Sequence, residues 1–144
     1  MRTAPAVTGV LETALYVADL ERTVVFYREV FGFEVLVRDA RFCALKVGDR
    51  AVLLLFVRGA SLEPIPVGQT GEAIPPHDGS GHLHFALSIP AGQFDAWKAW
   101  LHEKRVPVAS TIHWPRSSST SLYFHDPDGH LIELATPGIW GLDW

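Results

Sequence analysis

The order of predicted elements repeats once along the chain, and this repeat constrains the fold more than any other feature. Alternating apolar and polar residues predict a strand over residues 10–17, and a helical apolar stripe follows between an N-capping Asp19 and Gly32. Three further strands are then predicted, at 33–38, 42–47 and 51–57. The first half of the chain therefore has the order β-α-β-β-β.

The second half follows the same order. A strand is predicted over 82–89 and a helix over 93–104, and the three strands after them are predicted at 106–111, 120–125 and 130–135. Fifteen residues separate Glu12 from Tyr27, and the same number separates His82 from Trp97. Such a duplication predicts an α+β fold in which two tandem βαβββ modules form curved mixed sheets around a cleft.

The whole chain, 1–144, is expected to form a single domain. Module one covers about 8–57 and module two about 81–136, and an apolar tail occupies 137–144. Between the modules, residues 58–80 are rich in proline and glycine, which predicts a loop rather than a helix or strand. A connection of this length is either a lid or crossover between modules, or a flexible linker.

Composition excludes several classes of function. The 144 residues carry a net charge of −4, whereas proteins that bind the nucleic-acid backbone usually present a basic patch. The longest strongly apolar run, 51–57, is far shorter than a membrane span of about 20 residues. The single cysteine, Cys43, lies in an alternating run and is expected to be a buried structural thiol. We therefore expect a cytoplasmic protein without nucleic-acid or membrane partners.

Strand alternation places a set of polar side chains on the faces that do not pack against the helices. If the two sheets enclose a cleft, its lining comprises Glu12, His82, His84, Tyr123, His125 and Glu133. A carboxylate flanked by apolar neighbours in mid-strand is costly to bury unless it is paired or bound to a metal. Glu12 and Glu133 with one imidazole suit Zn, Mn, Fe, Co or Ni as a divalent ion. Alternatively, each carboxylate is an edge residue in solvent.

Three segments resemble one known family. They are residues 11–33, with Leu-Glu-Thr-Ala-Leu-Tyr-Val-Ala-Asp-Leu-Glu-Arg at their start, residues 81–87, and the closing hairpin at 121–134. Together they are similar to the vicinal oxygen chelate superfamily, which includes glyoxalase I, bleomycin- and fosfomycin-resistance proteins and extradiol dioxygenases. The resemblance covers about residues 10–136, and the closing hairpin is its most specific part.

The resemblance implies a ligand set for a divalent metal ion. Carried over position by position, the ligands are Glu12, His82 and Glu133, with Glu12 standing where relatives often have a histidine. The position of a fourth ligand falls at Leu53 or Leu54, which cannot coordinate, so three protein ligands are expected. The resemblance also implies a homodimer, because members commonly dimerise and some complete each cleft with modules from two chains.

The function that these features favour is a metal-dependent, glyoxalase-like enzyme of the lyase or isomerase type. Its substrate would be a small oxygen-rich molecule that chelates the metal through two neighbouring oxygens, and the reaction would transfer a proton. Glu133 or Glu12 would be the base, with His84 and Tyr123 as further acid–base candidates. Two alternatives remain open: an iron-dependent extradiol-type dioxygenase, and a metal-free ligand-binding protein of the bleomycin-resistance type.

Three other residues are candidates for substrate binding. His125 shares the cleft face with Tyr123, and Trp114 and Arg116 stand at a hairpin tip that could cover the mouth of the cleft. Of the other histidines, His77, His102 and His130 are expected at the surface or in turns. The apolar tail is expected to seal a dimer interface or to cap the cleft.

Overall fold

The first half of the chain forms a four-stranded sheet with one helix; the computed structural model describes residues 1–144. Its elements are β1 (Glu12–Val17), α1 (Leu20–Phe31), β2 (Glu34–Arg38), β3 (Phe42–Val47) and β4 (Ala51–Val57). The strand order is β1-β4-β3-β2, in which β1 runs parallel to β4 and the other neighbours are antiparallel.

A short hairpin interrupts the linker, where the sequence predicts only a loop. It pairs β5 (Ile65–Pro66) with β6 (Ala73–Ile74). The remaining residues of the linker have no helix or strand. Two-residue strands are too short to show the alternation from which strands are predicted.

The second half of the chain repeats the architecture of the first. Its elements are β7 (His84–Ser88), α2 (Phe94–Glu103), β8 (Ser110–His113), β9 (Thr120–His125) and β10 (Leu131–Ala135). The strand order is β7-β10-β9-β8, with β7 parallel to β10 and the other pairs antiparallel. The prediction of an α+β fold with two βαβββ modules and mixed sheets is confirmed.

The strand predicted at 106–111 is displaced, and β8 begins only at Ser110. Arg105, two residues after the end of α2, has a positive φ of 59°. Pro107 follows, and it has no N–H to donate to a neighbouring strand. The alternation of Val106 with Val108 resembles a strand in the sequence, although the structure forms none there.

Both ends of α1 lie where the sequence predicts them. The Asp19 side chain accepts a hydrogen bond from the backbone N–H of Arg22 at 3.1 Å. Gly32 has a φ of +70°, and its N–H donates to the carbonyl of Arg28 at 2.9 Å. A side-chain cap at the start and a left-handed glycine at the end are the usual signals that bound a helix.

The two helices lie between the two sheets. α1 packs on β3 and β4 of its own module. Its Phe31 ring also lies 6.1 Å from the Phe124 ring of β9 and 5.5 Å from the Trp97 ring of α2. The buried apolar side chains of both modules accordingly form one cluster of 17 residues, which includes the buried Cys43. The apolar faces of the two sheets therefore point toward each other, and their open faces point apart.

A buried carboxylate, Asp126, joins the two modules. It accepts hydrogen bonds from the Tyr27 hydroxyl at 2.9 Å and from the backbone N–H groups of Asp128 and His130 at 2.9 and 3.0 Å. Tyr27 belongs to α1 and is fully buried. Burial, together with the Asp126 carboxylate, raises the pKa of Tyr27 well above its ordinary value, so the phenol remains a donor.

His130 is also fully buried, so the prediction that it is a surface or turn residue is wrong. Its Nδ1 accepts from the backbone N–H of Leu83 at 2.9 Å, and its Nε2 lies 2.8 Å from the Tyr16 carbonyl oxygen. Because a carbonyl oxygen only accepts, Nε2 must carry the hydrogen. The neutral imidazole thus bridges the start of module two and β1.

Asp128 makes the third polar connection between the modules. Its carboxylate, 1% exposed, accepts from the Ala18 backbone N–H at 2.8 Å and from the Thr23 hydroxyl at 2.7 Å. Arg22 and Arg58 approach the same carboxylate at 3.7 and 3.5 Å. These contacts fix the position of α1 relative to the turn between β9 and β10.

Neither helix has the length or the apolar character needed to cross a membrane.

Candidate functional site

The open face of the second sheet carries a buried carboxylate. Glu133 lies in β10, opposite Tyr123 of β9 and Ala86 of β7, and it is only 6% exposed. The Ser121 hydroxyl donates to Glu133 Oε2 at 2.7 Å and accepts from Trp114 Nε1 at 2.9 Å. This chain of hydrogen bonds orients the carboxylate and leaves Oε1 available.

His84 presents a ring nitrogen to that free oxygen. Its Nδ1 lies 2.9 Å from the Leu131 carbonyl oxygen, so Nδ1 must carry a hydrogen. Its Nε2 lies 3.4 Å from Glu133 Oε1. In a neutral imidazole the lone pair of Nε2 would face the carboxylate, and this arrangement is favourable only with a cation or a proton between the two atoms. The pair is therefore suited to binding a divalent metal ion.

Tyr123 stands beside this pair. Its ring centroid lies 6.2 Å from that of His84. Burial and the neighbouring Glu133 carboxylate raise the pKa of Tyr123, so its phenol stays protonated at neutral pH. The side chain can therefore donate a hydrogen bond or a proton at this face.

His82 lies outside this group. It is exposed and stands against the turn at Gly129, where a Cβ would come within 2.9 Å of its Nε2. No ion pair or hydrogen bond joins its ring to Glu133. Strand β7 begins only at His84, so His82 precedes it, and the pairing of His84 with Leu131 sets His84 beside Glu133.

Glu12 lies on the open face of the first sheet, and it is exposed rather than buried. Because the open faces point apart, the chain does not bring Glu12 to His84 and Glu133. No three His, Cys, Asp or Glu side chains within the chain lie close enough together to hold a metal ion. The residues predicted to line one cleft are thus divided between two faces of the molecule.

The three predicted substrate-binding residues have different surroundings. Trp114 is connected to Glu133 only through Ser121, to which its indole N–H donates. Arg116 is exposed and lines a separate pocket with Trp114 and with Trp140 of the tail. His125 is exposed and lies opposite Leu131 at the end of β9.

The first sheet has a pocket of about 520 Å³ on its open face that sequence reasoning does not identify. Besides Glu12 and Tyr16, it is lined by Arg41, Phe56 and His77, among others. His77 is half-buried, and its Nδ1 lies 2.8 Å from the Tyr16 hydroxyl. Strand alternation, which places Tyr16 and Phe56 on the open face of their sheet, is the sequence pattern that could have indicated this pocket.

Comparison with known proteins is consistent with this geometry. Residues 9–134 match the family model of the Glyoxalase/Bleomycin resistance protein/Dioxygenase superfamily, which confirms the resemblance found in the sequence. Among solved structures, the lactoylglutathione lyase from Agrobacterium tumefaciens superposes with a TM-score of 0.84 at 31% identity, covering 96% of this chain and 100% of that one.

Two curated relatives differ in activity. The chain is 28% identical over 130 residues to metallothiol transferase FosB of Staphylococcus epidermidis, covering 90% of this chain and 82% of that protein. It is 31% identical over 121 residues to catechol-2,3-dioxygenase of Bacillus subtilis, covering 83% of this chain but only 38% of that protein. The proteins similar to this chain therefore include a lyase, a thiol transferase and a dioxygenase, so the similarity alone does not identify a reaction.

Proposed function

The chain belongs to the glyoxalase/bleomycin resistance protein/dioxygenase superfamily, and on that premise we propose that it is a metal-dependent, glyoxalase-like enzyme. It would act as a lyase or isomerase on a small oxygen-rich molecule. The observation that carries the proposal is the approach of His84 Nε2 to Glu133 Oε1, two bases that favour a cation between them. The metal dependence of relatives such as metallothiol transferase FosB supports it.

Three residues would hold the metal ion. Glu133 and His84 supply a carboxylate oxygen and an imidazole nitrogen from one face, and Glu12 supplies the second carboxylate. This oxygen-rich set suits Zn, Mn, Fe, Ni or Co as a divalent ion. His82 is the alternative nitrogen ligand that the sequence resemblance implies, but it precedes β7 and its ring stands at the Gly129 turn.

Glu12 would come from a second copy of the chain. The open face of module one bears Glu12, and the open face of module two bears His84 and Glu133. In a two-fold symmetric homodimer each face of one chain meets the other face of its partner, which builds two equivalent sites. Exposure of Glu12 in the single chain fits this arrangement, because a carboxylate ligand must remain accessible until the partner covers it.

When bound, the metal would hold two neighbouring substrate oxygens and stabilise negative charge that develops on them. Glu133 or Glu12 would accept the proton that leaves the substrate. Ser121 and Trp114 keep Glu133 oriented through their hydrogen bonds. Tyr123, whose pKa is raised, would keep its phenolic proton and donate to a substrate oxygen.

A mixed dimer tests whether the site is shared between chains. Differently tagged Glu12→Ala and Glu133→Ala chains are co-expressed, and the heterodimer is purified through both tags. One of its two sites would lack both carboxylates, while the other would be intact. We expect about one tightly bound Mn²⁺ per heterodimer by calorimetric titration, against about two for the wild type and none for either parent.

Its control is a heterodimer of wild-type and double-variant (Glu12→Ala, Glu133→Ala) chains, in which each site lacks one carboxylate. That protein should bind no tight Mn²⁺. Mn²⁺ binding by this control but not by the mixed dimer would mean that each site is built within one chain. Failure of the wild-type protein to bind any first-row divalent ion would refute the metal-dependent function itself.

The reaction class is tested with the loaded wild-type enzyme. Formation of lactoylglutathione, thiol transfer and oxygen uptake with catechols separate the three activities that the names of the relatives indicate. We expect turnover of the lyase or isomerase class, without net thiol transfer or oxygen uptake. Oxygen uptake with catechols would instead establish the dioxygenase alternative, and binding without turnover in any assay would establish the ligand-binding alternative.

A further inference from the structure

The pocket on the open face of module one has the chemistry of a receptor for a flat, anionic group. We infer that it binds the end of the substrate remote from the metal ligands, and that this end is an aryl or similarly planar apolar group carrying a carboxylate or another oxyanion. The inference rests on the proposed function for the position of the reacting end, but the pocket itself is formed within one chain.

A row of aromatic rings forms the base of the pocket. Tyr16, Phe56 and Phe42 occupy paired positions on β1, β4 and β3. Phe56 lies between the other two, with ring centroids 5.8 Å from Tyr16 and 5.5 Å from Phe42, and with interplanar angles of only 23° and 21°. This stacked row gives the base of the pocket an apolar, aromatic character, against which a planar group packs in an offset or edge-on manner.

A fixed arginine stands at this aromatic row. The Arg41 guanidinium carbon lies 5.0 Å from the centroid of Phe42 and 5.5 Å from that of Phe56. Its Nη1 donates to the hydroxyl of Ser61 at 2.8 Å, and Ser61 is 2% exposed. Arg41 forms no ion pair, whereas Arg22, Arg38 and Arg58 each do. A stacked, hydrogen-bonded guanidinium without a counterion is suited to receive a carboxylate through its remaining N–H groups.

The linker closes one side of the pocket. The His77 ring meets the Phe56 ring edge-on at 4.5 Å and is hydrogen-bonded to the Tyr16 hydroxyl. Gly79 lies so close to the Tyr16 ring that a Cβ at this position would overlap it. The linker is therefore seated on the open face, and it gives module one a wall that the sheet alone does not provide.

The pocket extends from this charged end toward Glu12. Glu12 and Tyr16 are four residues apart on β1, which corresponds to about 13 Å of extended strand. The side chains between them, Ala14 and Leu54, are apolar and also line the pocket. A substrate that spans this distance would place its chelating oxygens beside the metal ion that Glu12 would help to hold. Its apolar body would lie over Ala14, and its anionic group would lie at Arg41.

Binding of two matched probes tests the inference without any metal. 2-Naphthoate and 2-naphthalenemethanol have the same ring system, but only the first carries a charge. Calorimetric titration of the EDTA-treated wild-type protein should show the naphthoate binding about tenfold or more tightly than the alcohol. In Arg41→Gln this preference should disappear, whereas Phe42→Leu should weaken the binding of both probes.

Arg50→Gln is the matched control, because it removes one exposed positive charge from the β3–β4 turn outside the pocket. It should leave the preference for the naphthoate unchanged. If Arg41→Gln does not fold, Arg41→Lys keeps the charge but loses the planar fork, and it should reduce the preference severalfold. Equal affinity of the two probes in the wild type, or loss of the preference in Arg50→Gln, would overturn the inference.

The same measurements keep this inference separate from the proposed function. Naphthoate binding that depends on Arg41 in a protein without tight metal binding would overturn the proposed function and retain the pocket. Tight metal binding without any Arg41-dependent preference for the naphthoate would retain the proposed function and overturn the inference about the pocket.

Discussion

Replacement of Asp126 by alanine is expected to lower the free energy of unfolding by about 4 kcal/mol, because three donors lose their acceptor at once. The Tyr27 hydroxyl and the backbone N–H groups of Asp128 and His130 all donate to this carboxylate. Tyr27 and His130 are fully buried, so water cannot replace the lost acceptor there. Urea denaturation followed by circular dichroism measures the change.

Asp126→Asn separates hydrogen bonding from charge. The amide oxygen can still accept from the two backbone N–H groups, and the amide N–H can donate to the Tyr27 oxygen, so most of the stability should remain. Asp49→Ala, at an exposed turn, should cost less than about 0.5 kcal/mol. A loss in Asp126→Ala no larger than in Asp49→Ala would show that the network contributes little to folding.

Titration of Asp126 adds a pH dependence with a definite sign. Burial raises the pKa of Asp126, and the hydrogen bonds from His130 and Tyr27 only partly oppose this effect. Over the interval between the ordinary and the raised pKa, the folded chain binds a proton that the unfolded chain has released. This contribution to stability is present at lower pH and is lost as the pH rises through the raised pKa. The amide of Asp126→Asn does not titrate, so the variant makes no such contribution. As the pH rises through that interval, the wild type should lose stability relative to Asp126→Asn.

Glu133→Gln is expected to weaken metal binding by at least about 100-fold and to reduce turnover in proportion, with little effect on the fold. The glutamine keeps the shape of the side chain and an oxygen that accepts from Ser121, but it removes the negative charge beside His84. Calorimetric titration with Mn²⁺ measures the affinity, and urea denaturation of the same sample checks the fold.

Two further variants make the Glu133 experiment specific. Glu72→Gln makes the same chemical change at an exposed residue of the linker and should leave the Mn²⁺ affinity unchanged. Ser121→Ala removes the hydrogen bond that orients Glu133, together with the acceptor of the Trp114 indole N–H, and should reduce the affinity by about tenfold. Mn²⁺ binding by Glu133→Gln with wild-type affinity would exclude Glu133 as a ligand.

Local signals in the sequence predict the parts of the fold that local forces determine. Asp19 and Gly32 bound α1 because capping depends on neighbours three or four residues away. Alternation likewise predicts that Glu133 and Tyr123 share a face, since side chains of a strand point to its two sides in turn. The duplication into two modules follows from the same local patterns.

Contacts between distant segments decide what the sequence does not reveal. His82 and His84 share strand parity, so alternation cannot choose between them, and the choice follows from the pairing of His84 with Leu131. His130 has the local pattern of an exposed turn, but Leu83 and Tyr16 bury it from far along the chain. The division of Glu12 and Glu133 between two faces follows from helices that pack against both sheets.

Because the helices lie between the sheets, the residues that determine folding and the residues that determine chemistry occupy different positions. Residues such as Phe31 and Phe124, which point inward, determine whether the chain folds. Residues such as Glu12 and His84, which point outward, contribute little to the shared core. Selection can therefore alter the outward set, and with it the chemistry, while leaving the stability of the domain almost untouched. Such independence of folding from chemistry is a physical basis for the diversity of reactions among proteins that share this architecture.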